Sequence, residues 1–112
     1  MTAENLLLAF TNAAEGREDE FNQWYTGVHV PELLEIPGVV AAQRFEIDAP
    51  PDGPAPAHKY LAVYRLDRPG NEVLGELMGR IGSGGLNMSD SLDIATAALT
   101  VWTSLGPEVG GA

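Results

Sequence analysis

Apolar residues follow two rhythms along this chain. NLLLAFT, from Asn5 to Thr11, is a short apolar run bounded by polar residues and reads as a largely buried strand. After the polar turn NAAEG, Phe21, Trp24, Tyr25 and Val28 fall at i, i+3, i+4 and i+7, one stripe of an amphipathic helix that starts near Arg17. Pro31 lacks an amide hydrogen and disfavours helical backbone at Val30, so the pattern predicts a break or kink close to Gly27–Val30. PELLEI then restarts with proline in its first turn and stops at Pro37-Gly38.

VVAAQRFEID, Val39 to Asp48, and KYLAVYRL, Lys59 to Leu66, are rich in β-branched and aromatic residues and read as strands two and three. Between them Pro50, Pro51, Pro54 and Pro56 interrupt a stretch too poor in apolar groups to pack, which predicts a mobile surface loop over residues 49–57. A second helical face, Val73, Leu74, Leu77, Met78 and Ile81, opens after Arg68-Pro69-Gly70 and closes at the glycines of GSGG. LNMSDSLD reads as irregular, TAALTVWTSL as a fourth strand, and residues 106–112 as a flexible tail.

The order strand, helix, strand, strand, helix, strand is the split βαβ arrangement. It predicts an α+β, ferredoxin-like βαββαβ domain spanning 1–112, with a core over about 5–105 and both helices on one face of a four-stranded antiparallel sheet. The other face is not polar. Leu61 and Val63 alternate with Tyr60, Ala62, Tyr64 and Leu66 on strand three, and Leu99, Val101 and Leu105 with Trp102 on strand four. A second copy of the same sheet is the simplest cover, so a homodimer is expected.

Composition narrows the chemistry. At 112 residues without cysteine, the chain builds a core with no disulfide, thiolate nucleophile or sulfur-bound metal. A formal charge of −10 repels nucleic acid and anionic membrane surfaces. No basic leader or spanning apolar run is present, which points to the cytoplasm. Glu18-Asp19-Glu20 suits the positive end of the first helix.

EFNQWYTGVHVPELLEIPGV, Glu20 to Val39, with Phe21, Trp24-Tyr25, His29, Pro31 and Pro37-Gly38, resembles the first-helix motif of the dimeric α+β barrel superfamily. The nearest branch is the EthD-like group, and with the element order and KYLAVYRL the resemblance covers most of residues 5–105. It implies paired sheets forming a barrel and a ligand pocket in each subunit between sheet and helices. Members include cofactor-independent polyketide cyclases and monooxygenases, lactone isomerases and haem-degrading enzymes. By position, His29 corresponds to the family's histidine and Trp24-Tyr25 to its flanking aromatics. Many relatives have an acidic residue just before that histidine, where this chain has Thr26-Gly27-Val28.

His29 is the leading catalytic candidate, because imidazole exchanges protons near neutrality, and Tyr25 lies one turn earlier on the same face. The alternative for His29 is structural, bonding a carbonyl freed by the helix break. Trp24, Tyr60, Tyr64 and Trp102 are the expected ligand contacts, although an aromatic at helical spacing more often packs the core, and Trp24 suits the core better than a pocket. His29 and Glu32 form an H-x-x-E pair with Pro31 inside it, too sparse a set for a metal, so neither metal nor other cofactor is expected. Gly79–Gly85 follows a helix and lacks a lysine, which fails the phosphate-loop context but allows a lid. Arg44 and Arg65 on strands two and three call for internal salt bridges. Three functions stay open: cofactor-free acid/base chemistry on an aromatic or polyketide-like molecule, non-catalytic binding of a small apolar ligand, and haem association through His29.

Overall fold

The computed structural model describes residues 4–111. Strands β1 (Asn5–Thr11), β2 (Val39–Glu46), β3 (Tyr60–Leu66) and β4 (Ala98–Thr103) form one antiparallel sheet in the order β2-β3-β1-β4. The helical layer comprises α1 (Glu18–Trp24), a π-helical turn (Tyr25–His29), α2 (Val30–Leu34) and α3 (Gly70–Ser83). This is the expected ferredoxin-like α+β architecture. β2 and β4 end earlier than the alternation suggests, and Leu105 lies fully exposed beyond β4 instead of extending its inner face.

Register decides what each face carries. Leu7 faces Tyr64 and Val101, and Ala9 faces Ala62 and Leu99, so these residues share the face beneath the helices. Phe21, Tyr25, Leu33, Val73 and Leu77 close that core from above. On the opposite face Leu8 pairs with Val63 and Thr100, and Phe10 with Leu61 and Ala98. That face is open to solvent and mostly apolar, with Phe45 and Trp102 exposed at its two edges.

The helix does not break at Pro31. Tyr25, His29 and Val30 all hold right-handed helical angles, and Val30 donates its N–H to the Tyr25 carbonyl, five residues back. One wider turn moves the hydrogen-bond ladder ahead of the proline, which then falls in the first turn of α2, where its missing N–H is harmless. An α-helical ladder through the same point would cost about 3 kcal/mol. The wide turn also rotates the stripe. Val28, the expected inward residue, is 37% exposed, while His29 is only 7% exposed and occupies its place. The buried series is Phe21, Tyr25, His29, Leu33, a spacing of four.

Helix α3 ends in a left-handed cap at Gly84 (φ 78°), with Gly85 N–H bonded to the Arg80 carbonyl. A left-handed residue is the usual way to stop a helix and turn the chain, and glycine adopts it without strain. From there residues 84–97 run back across the helical face toward β4.

Candidate functional site

A cavity of about 240 Å³ lies between the sheet and the helices. Its floor is Ala9, Thr11 and Leu99, one wall is Tyr25, His29 and Leu33, and α3 supplies Leu77, Met78 and Ile81. Met88, Leu92 and Ile94 from segment 84–97 complete it. Met78, Met88 and Ile94 are substantially exposed and mark the mouth, so entry is across apolar, pliable side chains. No lining residue carries a formal charge at neutral pH; the polar groups are Thr11, Tyr25 and His29.

His29 is held by rings. Trp24 stacks on it at 4.7 Å and 26°, and Tyr25 meets it nearly at right angles at 4.8 Å. Its Nδ1 is buried, with no hydrogen-bond partner among the described residues. A buried, unpaired polar atom costs about 1–3 kcal/mol. Burial lowers the imidazole pKa to about 4, with Arg44 adding to the effect and Glu32 opposing it. The ring is therefore neutral at physiological pH.

Tyr25 accepts a hydrogen bond from the Tyr64 hydroxyl at 3.3 Å, which leaves its own proton available to a cavity occupant. Burial raises the pKa of both phenols. Tyr64 thus stands behind Tyr25 rather than in the cavity wall. Tyr60 is buried in the core, its hydroxyl accepting from Asn22 Nδ2 at 3.2 Å. Trp102 is 54% exposed on the opposite face of the sheet, with its indole N–H given to Thr100. Of the six residues singled out from sequence, His29 and Tyr25 line the cavity, Trp24 and Tyr64 support them, and Tyr60 and Trp102 lie elsewhere.

The expected salt bridges of Arg44 and Arg65 do not form: among the described residues neither has a carboxylate partner. Arg65 points from the open sheet face into water. Arg44 donates to Thr26 and Asn22 and lies over aromatic rings instead. No cluster of three or more metal-type side chains occurs among the described residues. Glu32 turns from His29 to segment 84–97, where its carboxylate accepts from the backbone N–H and the Nδ2 of Asn87. Trp24 donates its indole N–H to the Asn87 carbonyl at 2.7 Å, and Arg17 pairs with Asp90. A β-bridge between Ala13 and Leu92 pins the far end. Segment 84–97 is thus a strap across the cavity, latched at Asn87 to the helix that bears His29.

Glu32→Ala leaves Asn87 with only the indole bond. Two charge-assisted hydrogen bonds at a half-exposed carboxylate are worth roughly 1–2 kcal/mol together. Amide exchange across 84–92 is expected to accelerate about tenfold or more, with little change in β1 or β3, by hydrogen-exchange mass spectrometry. Unchanged exchange in the strap would show that the latch does not hold it.

No protein-family model matches this chain, and no curated protein sequence is similar to it. Solved structures share its fold. An EthD-family protein from Bacillus halodurans is 18% identical with a TM-score of 0.55, the match covering 96% of this chain and 100% of that one. A putative monooxygenase from Shewanella loihica is 11% identical with a TM-score of 0.62, over 96% and 99%. The heme-degrading protein of Mycobacterium tuberculosis is 15% identical with a TM-score of 0.54, over 99% and 100%. The chain shares with these structures the ferredoxin-like α+β fold.

Proposed function

We propose that this chain is a small EthD-like protein of the cytoplasm that holds an uncharged ring compound in the cavity and moves a proton on it through His29, with Tyr25 as hydrogen-bond donor. One observation carries the reading: a buried imidazole, its Nδ1 without a partner among the described residues, on the wall of an apolar cavity. A ligand hydroxyl or carbonyl meets the edge of the ring that the cavity reaches, as donor or acceptor according to the tautomer. At a pKa of about 4 the ring is a weak base toward free protons. Proton transfer from a bound ligand, however, leaves an imidazolium beside the anion it has just created, and that attraction offsets part of the burial cost. The fitting chemistry is cyclisation, decarboxylation, dehydration or isomerisation of an aromatic or polyketide-like molecule. The low pKa favours a second reading, binding without turnover, in which the ligand is recovered unchanged.

The heme-degrading neighbour raises haem as a ligand. The residues present do not fit it. The cavity, at about 240 Å³, is below the roughly 300–1,000 Å³ that suits drug-sized ligands, and its walls offer no cation to a porphyrin carboxylate.

A homodimer completes the reading. The open sheet face presents Leu6, Leu8, Phe10, Leu61 and Val63 as one contiguous apolar surface across β1 and β3. A second copy packed there removes these side chains from water.

The probe is 2-naphthol, with 2-naphthoate as its charged counterpart. The space equals roughly eight water volumes, which suits one or two rings. By calorimetry at pH 7, 2-naphthol is expected to bind with a dissociation constant on the order of 0.1 mM, a modest efficiency for its size. The naphthoate is expected to bind at least about tenfold more weakly, because no cation in the wall compensates its buried charge. Equal affinity for the two would contradict an uncharged-ligand cavity.

A further inference from the structure

Arg44 lacks the salt bridge expected of it, and the surroundings it has instead give it a role. It lies on β2, opposite Ala62, and so faces the helices. Its guanidinium donates to Thr26 Oγ1 at 3.0 Å, inside the π-helical turn, and to Asn22 Oδ1 at 2.8 Å, one turn earlier. Its central carbon sits 4.5 Å from the centre of the Tyr25 ring and 5.6 Å from those of Phe21 and Tyr60. In a chain with sixteen acidic residues, this cation is held by neutral oxygens and aromatic faces.

Such an arrangement uses what distinguishes arginine from lysine. A planar fork makes two directed bonds while its face stacks on a ring, which an ammonium group cannot reproduce. One fork bond goes to the turn in which the helix widens and the other to α1 just before it. The ring it covers is the one that meets His29 at 4.8 Å and presents the free phenol proton.

We infer that Arg44 is the positioning residue of the cavity: it clamps the π-helical turn and the Tyr25 ring to the edge of the sheet and thereby sets where the Tyr25 hydroxyl and the His29 imidazole point. This rests on the cavity reading, in which both groups meet a ligand. Arg44 itself does not line the cavity. Its charge also reaches His29 and opposes protonation, in the same sense as burial and against Glu32. The titratable and charged groups around the imidazole are Tyr25 on the same helix, Glu32 on α2 and Arg44 on β2. The lining residues from β1, α3 and the strap are uncharged.

The test compares Arg44→Lys, Arg44→Gln and Tyr25→Phe, singly and with Arg44→Gln combined with Tyr25→Phe. In 2-naphthol calorimetry both Arg44 variants are expected to lose about tenfold in affinity, since lysine keeps the charge but not the fork. In the Tyr25→Phe background Arg44→Gln should cost little more, because the hydroxyl it places is already gone. Independent losses that simply add would overturn the inference. A ligand-free readout accompanies this. By NMR, the His29 titration midpoint is expected to rise in Arg44→Gln and stay near its natural value in Arg44→Lys. In both variants the His29 ring protons should move toward the shifts of an unstacked histidine as its contact with Trp24 loosens. If 2-naphthol fails to bind the natural protein, the ligand reading fails, and the NMR arm alone decides: a midpoint and ring shifts unchanged in Arg44→Gln would overturn the role of Arg44.

Discussion

His29→Phe is expected to make the protein more stable and unable to hold its ligand. The side chain sits between Trp24 and Tyr25 beside an open cavity, so a six-membered ring fits without displacing either neighbour. What disappears is Nδ1, buried and unpartnered. Its removal relieves roughly 1–3 kcal/mol, which for a chain of this size is a rise of several degrees or more in melting temperature. A residue retained for packing would show the opposite sign.

The same substitution changes the response to acid. In the unfolded chain the imidazole takes its proton near pH 6.5, but in the folded protein burial delays this to about pH 4. The unfolded state therefore binds the proton first. The stability contributed by the neutral, buried ring is complete above pH 6.5, declines as pH falls through that value, and is lost by about pH 4. The amount is on the order of 3 kcal/mol. Carboxylates titrate over part of this range, so the informative quantity is the difference between the natural protein and His29→Phe. That difference should grow in favour of the variant from pH 7 to pH 4, followed by urea unfolding at fixed protein concentration. A constant difference would mean that His29 is already protonated, or solvated, in the folded state.

Val63→Asp is expected to convert the proposed dimer into a monomer without unfolding it. Val63 is half-buried on β3 in the middle of the open sheet face, opposite Leu8 and Gln43. In a single chain a carboxylate there reaches water. Between two sheets it loses hydration, at a cost of several kcal/mol per copy. Dissociation should increase at least a hundredfold by sedimentation analysis. Leu34→Asp, at an exposed position on α2, is the control and should leave the assembly intact. A natural protein that sediments as a monomer would remove the dimer from the account.

Much of this was readable from residue order. The alternation in β1 and β3 and the caps of α3 give local, periodic signals, and the strand and helix bounds followed them within a few residues. The apolar second face of the sheet was equally plain, because Leu61 and Val63 alternate with residues that must also be buried. The helix was less legible at its most important point. Proline rules are local and predict a break, whereas the chain widens one turn and continues. The spacing of four through Phe21, Tyr25, His29 and Leu33 was the available signal, since an i, i+3, i+4 stripe would have placed Val28 inside. Met88, Leu92 and Ile94 gave no periodic sign of their role, as they lie in a segment held by Glu32 and Trp24 rather than by its own hydrogen-bond ladder. The environment of Arg44 was misread for a related reason. A guanidinium on a strand needs partners, but which atoms the neighbouring helix offers depends on the widened turn.

The central claim is that the imidazole of His29 meets a ligand in the cavity. Long-range nitrogen NMR of the histidine rings, recorded at pH 7 while 2-naphthol is added, tests it most directly. The account predicts that the ring-nitrogen resonances of His29 move as the cavity fills, while the ring of His58, which bonds the Thr96 carbonyl outside the cavity, stays in place. Saturable binding of 2-naphthol with no displacement of the His29 nitrogen would contradict it.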